Sequence, residues 1–328
     1  MELYTLVSIP EAAFLFSYSN EIMLLGSCFA DEIGRKLSDD KFAVNINPFG
    51  TLYNPASISL SLSRLMQPEP FTASDLFCRD GLFHSFAHHS RFSSPSEEEA
   101  LEGINRQLAY AAAYLGRTSR LIVTFGSAWV YRLKDNGNIV SNCHKLPERM
   151  FGRERLSVDA IVNDWDALLR TLWERHPALR VLFTISPVRH WKDGAHANQL
   201  SKATLLLAVD ELQRRYPERI AYFPAYEIMM DELRDYRFYA NDMLHPSALA
   251  IEYISERFYR NFLSAESQTL LHEWRVIRKA IEHKPFQPES AAYRQFILQT
   301  LLKVENLSGK FPYFDLSREL ALLHSKLK

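Results

Sequence analysis

The chain is poor in cysteine, with three residues, Cys28, Cys78 and Cys143, in 328. So small and odd a number excludes a disulfide framework and points to a reducing, cytoplasmic setting. An excess of either charge is also lacking. The formal net charge is -1 at pH 7, so no basic surplus exists to neutralise phosphates, and nucleic-acid binding is not expected. Long apolar runs are missing as well. None reaches the roughly 18 residues of a membrane-spanning helix, and no membrane association is expected. The opening stretch, MELYTLVSIPEAAFLFSYSNE, has neither a cationic start nor a continuous apolar segment. It does not read as a signal peptide. Fixed-period repeats and long low-complexity tracts are absent. What is present, 47% hydrophobic and 23% charged residues, suits a globular chain with ample material for a core.

Five short apolar runs rich in β-branched or aromatic residues recur: residues 22–26, 42–48, 120–126, 179–186 and 219–225. Helical patterns at 54–66, 96–115, 157–176 and 198–216 lie between them. Near-continuously apolar strands alternating with long helices predict a parallel sheet covered on both faces. Right-handed crossovers then give a doubly wound, three-layer αβα sandwich. Ser96 ahead of Glu97, Glu98 and Glu99, and Ser157 ahead of Asp159, read as helix N-caps. A further helix is expected from about Pro246, with the proline in its first turn. Two stretches break the rhythm. Residues 67–95, rich in Pro, Ser, Phe and His, form a long inserted loop, and residues 128–151 read as a hairpin around Asn136-Gly137. The expected organisation is a catalytic unit over 1–263 and a charged helical extension over 264–328, broken at 283–290.

Three pieces carry chemistry. Ser27 follows Gly26 at the joint between the first strand and its helix, where ligands bind in open α/β sheets. There it is either a plain N-cap or a nucleophile with helix N–H groups at hand. Cys28, beside it, is the rival nucleophile, although its place against an apolar run suits packing. Asp242 and His245 stand three apart before a helix, so the carboxylate can orient the imidazole; with Ser27 they make a triad in the order Ser, Asp, His. Gly50, after the second strand, is either a turn glycine or a close-approach backbone donor.

These pieces resemble the GSCFA family, a branch of the SGNH (GDSL-like) hydrolase superfamily. The resemblance rests on GSCFADEIGRKL, NPFGTLYNP, TFGSAWVYRL, NCHKLP, SPVRHWKDGAHANQLSKATLL and the stretch ending in NDMLHPS, and covers roughly residues 20–260. It implies a flavodoxin-like fold with strand order 2-1-3-4-5. Ser27 then matches the nucleophile, Asp242 and His245 the last catalytic block, and Gly50, with the Ser27 N–H, the oxyanion donors. One departure stands out. The superfamily's oxyanion asparagine corresponds here to Ala128 in FGSAWVY, and losing such a donor typically costs about 2.7–4 kcal/mol. His190, at the end of the fourth strand, is the favoured substitute, with His144 as another.

The expected reaction is ester hydrolysis or acyl transfer on a small polar substrate, such as an acetylated carbohydrate, with no cofactor. Asn54, Trp129, Arg189 and Asn198 are the expected substrate contacts, with Tyr53, Tyr131, Arg132, Trp191 and Lys192 as further candidates. A non-catalytic carbohydrate-binding protein is the alternative. A metal site built from His84, His88, His89, Cys143 and His144 is disfavoured, because no carboxylate lies near them in sequence.

Overall fold

The computed structural model describes residues 5–327; residues 1–4, where the stretch read above for a leader begins, and residue 328 lie outside them. In chain order come β1 (Ile22–Gly26), α1 (Cys28–Asp39), β2 (Val44–Ile46), α2 (Pro55–Met66), β3 (Leu76–Arg79) and β4 (Leu82–Ser85). There follow α3 (Glu97–Leu115), β5 (Arg120–Phe125), β6 (Trp129–Leu133), β7 (Ile139–Val140), β8 (Phe151–Arg155), α4 (Val158–Arg175), β9 (Arg180–Ile185), α5 (Gly194–Arg215) and β10 (Ile220–Phe223). The short α6 (Ala225–Glu227) runs into a π turn, and α7 (Ala248–Phe262), α8 (Ala265–Glu282), α9 (Ala291–Lys310) and α10 (Ser317–Leu327) complete the chain.

The main sheet has five parallel strands in the order β2-β1-β5-β9-β10. Counted along the chain, these are its strands 2-1-3-4-5. Side chains alternate across a strand, so each strand feeds two cores. Ile22 and Leu24 of β1 pack with α1, α7 and the C-terminal helices, while Met23 and Leu25 pack with α2, α3, α4 and α5. Burial on both faces is why these strands read as unbroken apolar runs.

Ser96 and Ser157 cap α3 and α4, accepting from the N–H groups of Glu99 and Ala160 at 3.3 and 3.1 Å. The helix expected from Pro246 begins later. Its cap is Ser247, which accepts from the Ala250 N–H at 3.3 Å, and Pro246 precedes that cap. The inserted loop holds an unexpected hairpin, β3–β4, and the predicted hairpin becomes a three-stranded sheet, β7-β6-β8.

The segment from 264 is helical, and it is packed rather than appended. Trp274, Ile277, Ile297, Val304 and Leu323 are buried in the same core as Ile22 and Phe29. Polar contacts fix it there. Trp274 Nε1 donates to the Asp39 carbonyl at 3.0 Å, and Arg275 and Arg278 bond the buried Asp40 carboxylate at 2.9 and 3.0 Å. A buried carboxylate needs such partners, so Asp40 ties the end of α1 to α8.

Candidate active site

β1 ends at Gly26 with φ 142; a Cβ there would lie 2.2 Å from the Thr124 carbonyl oxygen of β5. Only glycine lets the strands stay this close at the turn into α1. Ser27 is the N-cap, and its Oγ accepts from the Phe29 N–H at 3.3 Å. The residue is 1% exposed overall, yet it forms part of a cavity wall. Its neighbour Cys28 lines the same wall. Burial, reinforced by Asp31, raises the Cys28 thiol pKa above its ordinary value. The thiol stays protonated at neutral pH and is the weaker nucleophile.

The two backbone donors assigned to an oxyanion are committed elsewhere. The Ser27 N–H donates to the Thr124 carbonyl at 3.2 Å, and the Gly50 N–H donates to the Asn47 carbonyl at 2.7 Å. Gly50 is a turn glycine. Its φ is 82, and a Cβ there would lie 2.2 Å from His89 Cβ. The residue sequence reasoning missed is Asn47, in the left-handed region at φ 44. Its Oδ1 accepts from the Gly26 N–H at 2.8 Å, and its Nδ2 donates to Asp31 at 2.8 Å. Asn47 therefore braces the glycine that precedes Ser27. Nothing in the sequence separates it from an ordinary turn asparagine.

The loop after β5 forms the floor. The Gly126 and Ser127 N–H groups both donate to the Tyr53 carbonyl at 2.8 Å. A Cβ at Gly126 would lie 3.3 Å from His190 Nε2 and 3.4 Å from Ser27 Cβ, so these side chains converge over this glycine. Ala128 is fully buried in the α2–α5 core, whereas Ser127 and Trp129 on either side line the cavity. The methyl of Ala128 thus points away from the site, and an asparagine there would point away too.

His190 stands on the cavity wall near Ser27. Its Nε2 is buried without a hydrogen-bond partner. Burial first, then the Lys202 charge, pushes its pKa down to about 4, so the ring is neutral at neutral pH. The Asn198 Oδ1 accepts from the His190 N–H at 3.0 Å. Asn198, expected to touch substrate, is 1% exposed and does not line the cavity; it positions His190 from beneath. Asn54 does line the cavity. Its Oδ1 caps α2 through the Ser57 N–H at 2.8 Å, which leaves its amide N–H groups for other partners.

Lys202 of α5 is buried under this floor. Its Nζ donates to the Gly126 carbonyl at 2.8 Å and the Ser186 carbonyl at 2.7 Å, joining the chain ends that follow β5 and β9. Burial lowers its pKa to about 7, from an ordinary value of 10.5. The unfolded chain therefore holds the extra proton between those values, and the folded state gains stability as pH rises through them. Wild-type protein is expected to gain up to about 3 kcal/mol relative to Lys202→Met between pH 6.5 and 9.5. Urea unfolding at the two pH values measures this, and a pH-independent difference would contradict it.

His245 and Asp242 stand on the loop before α7. His245 Nδ1 is 2.5 Å from Asp242 Oδ2. The other carboxylate oxygen accepts from the N–H groups of Leu244 and His245, both at 2.9 Å, with Met243, between Asp242 and Leu244, at φ 58. Those two backbone donors, first His245 and then Leu244, together with the imidazole, hold the Asp242 pKa at about 2. It stays ionised and fixes the ring with Nδ1 toward the carboxylate, so that Nε2 faces away from it.

Ser27, Asn54, Trp129, Arg189, His190 and His245 line one cavity of about 790 Å³ at the carboxyl ends of β1, β5 and β9. Arg132 does not line it and pairs with Glu154 at 2.6 Å. His89 brings the inserted loop to the cavity edge. His84, His88 and His144 are instead buried, bonded at 2.6, 2.9 and 2.8 Å to Ser93, to the Ser85 hydroxyl and to the Ser85 carbonyl. His144 lies outside the cavity wall and gives the site no donor. Among the described residues, no three His, Cys, Asp or Glu side chains are grouped to hold a metal ion. Nor is any helix among them long and apolar enough to cross a membrane.

Comparison with known proteins places these elements. No curated protein matches the chain. A solved structure from Streptococcus pneumonia, provisionally described as a platelet activating factor, aligns at 13% identity and a TM-score of 0.39 over 74% of this chain and 83% of its own. The profile of the GSCFA family matches residues 21–258, and that of the GSCFA domain protein C-terminal domain matches residues 274–328, the helices packed on the β1 face. The chain, from the Ser27 turn through the His245 loop and on into its C-terminal helices, belongs to the GSCFA family.

Proposed function

We propose that the chain is a serine-dependent ester hydrolase or acyltransferase of the SGNH type, with a flavodoxin-like core, acting on a small polar acylated substrate. The observation that carries this reading is the convergence of Ser27, His190 and the Asp242-bound His245 on one cavity at the carboxyl ends of the parallel strands. In the first step His245 Nε2 takes the Ser27 hydroxyl proton as Oγ attacks the ester carbonyl carbon. The carbonyl π pair moves onto oxygen. With the backbone donors engaged, the neutral His190, as its Nε2–H tautomer, and the Asn54 amide are the donors left to hold that oxyanion. The tetrahedral intermediate expels the alkoxide, which receives the proton from His245. Water or a second alcohol then attacks the acyl-serine and gives its proton to His245; the acyl–Oγ bond breaks, and His245 returns the proton to Ser27 Oγ as the acid or new ester leaves. An acetylated carbohydrate suits the aromatic and polar wall.

A second reading, a carbohydrate-binding protein without turnover, is favoured by one observation: the Ser27 and Gly50 N–H groups are both engaged by backbone carbonyls. A fluorophosphonate probe separates the two. The hydrolase reading expects one covalent adduct, mapped by peptide mass spectrometry to Ser27 and lost in Ser27→Ala. An unlabelled protein that binds sugars would support the second reading.

A further inference from the structure

The cavity wall carries four cationic side chains, Lys145, Arg153, Arg189 and Lys192, against two carboxylates, Glu148 and Asp193. The carboxylates are taken. Arg153 pairs with Asp193, and Lys192 pairs with Glu148 at 2.8 Å. Asp242, beside the wall, is filled by the Leu244 and His245 donors. Lys145 is exposed on the hairpin arm. Arg189 differs from all of these. It is partly buried, its Nε is buried with no hydrogen-bond partner, and it forms no ion pair with a carboxylate of the described residues. Its guanidinium lies over the Trp191 ring at 4.8 Å, and both residues line the cavity.

A half-buried guanidinium without a counter-charge is costly to hold, and its planar donors match an oxyanion in bidentate geometry. Its backbone stands beside the loop that carries His245. The Arg189 N–H donates to the Leu244 carbonyl at 3.4 Å, next to His245. On the esterase reading, His245 protonates the departing alcohol, so Arg189 stands beside the loop that serves the leaving group.

Resting on the esterase reading above, we propose that Arg189 and Trp191 form an anion subsite in the Ser27 cavity, and that the alcohol half of the substrate carries a carboxylate or phosphate group. A neutral alcohol would leave Arg189 unpaired in the complex. An anionic one supplies the missing charge within the 790 Å³ cavity.

The test is titration calorimetry on the full chain carrying Ser27→Ala, with glucose, glucuronate and glucose 6-phosphate as ligands. At least one of the two anionic sugars is expected to bind roughly tenfold or more tighter than glucose, the usual strength of a charge-assisted pair. Which one wins tells carboxylate from phosphate. Adding Arg189→Gln is expected to bring the anion's affinity down to that of glucose, while Arg189→Lys retains part of the preference. Equal binding of all three sugars, binding of none, or a preference that survives Arg189→Gln would overturn the subsite. Fluorophosphonate labelling of the wild-type chain is read separately. A protein that labels at Ser27 but shows no anion preference refutes the subsite alone, and one with the preference but no label refutes the esterase reading alone.

Discussion

Ser27→Ala is expected to lower kcat toward an activated aryl ester by roughly 10⁴-fold or more, because it removes the proposed nucleophile. The fold should survive. The Ser27 side chain contributes one long cap bond, at 3.3 Å to the Phe29 N–H, and losing a cap costs about 1 kcal/mol. Thermal unfolding followed by circular dichroism therefore accompanies the rate measurement. The companion variant is Cys28→Ala. With the Cys28 thiol pKa raised by burial and by Asp31, that change should leave most of the activity in place. The reverse pattern, an active Ser27→Ala and an inactive Cys28→Ala, would move the nucleophile one residue along the chain.

The second large effect is expected at Asp242. Asp242→Asn keeps an oxygen for the Leu244 and His245 backbone N–H groups, so the loop should hold its shape. What changes is the face toward the imidazole. An amide N–H₂ in place of Oδ2 favours the tautomer with the proton on Nε2, which cannot then accept the serine proton. The expected loss is on the order of 10³–10⁴ in kcat at neutral pH. The shape of the pH profile adds a check. The wild-type Asp242 pKa is held at about 2, below its ordinary value, so its carboxylate is ionised throughout the range above about pH 4. A fall in rate between pH 7 and pH 5 therefore belongs to other groups. His190 titrates lower still than that window, its pKa pushed down to about 4.

Much of this architecture was legible because it rests on local patterns. The five apolar runs became the five parallel strands, since burial on both faces demands unbroken hydrophobic sequence. The glycine-serine joint was legible for the same reason: a strand that ends and a helix that starts within two residues need a glycine and a cap. The Asp242–His245 contact was foreseeable from a separation of three residues on one loop.

What sequence could not supply was set by chain segments meeting from a distance. Gly50 looked like an oxyanion donor, but its N–H direction depends on the turn closed by Asn47. Asn198 looked like a substrate contact, yet packing of α5 under the β9 loop turns it toward the His190 backbone. Lys202 sits in an ordinary helical stretch and becomes exceptional only because two carbonyls from different strands converge on it. The C-terminal helices were recognised as helices. The spacing of Trp274, Ile277 and Ile281 marks one apolar face, but which core that face joins depends on the far end of α1.

The central claim is that Ser27 and His245 act together on one acyl group, Ser27 as nucleophile and His245 as its base. A crystal structure of the protein after reaction with a fluorophosphonate tests it most directly. The account predicts continuous density from Ser27 Oγ to phosphorus, His245 Nε2 within about 3 Å of the adduct's oxygens, and His190 or Asn54 facing the phosphoryl oxygen. An adduct on another residue, or one on Ser27 with His245 turned away and out of reach, would contradict it.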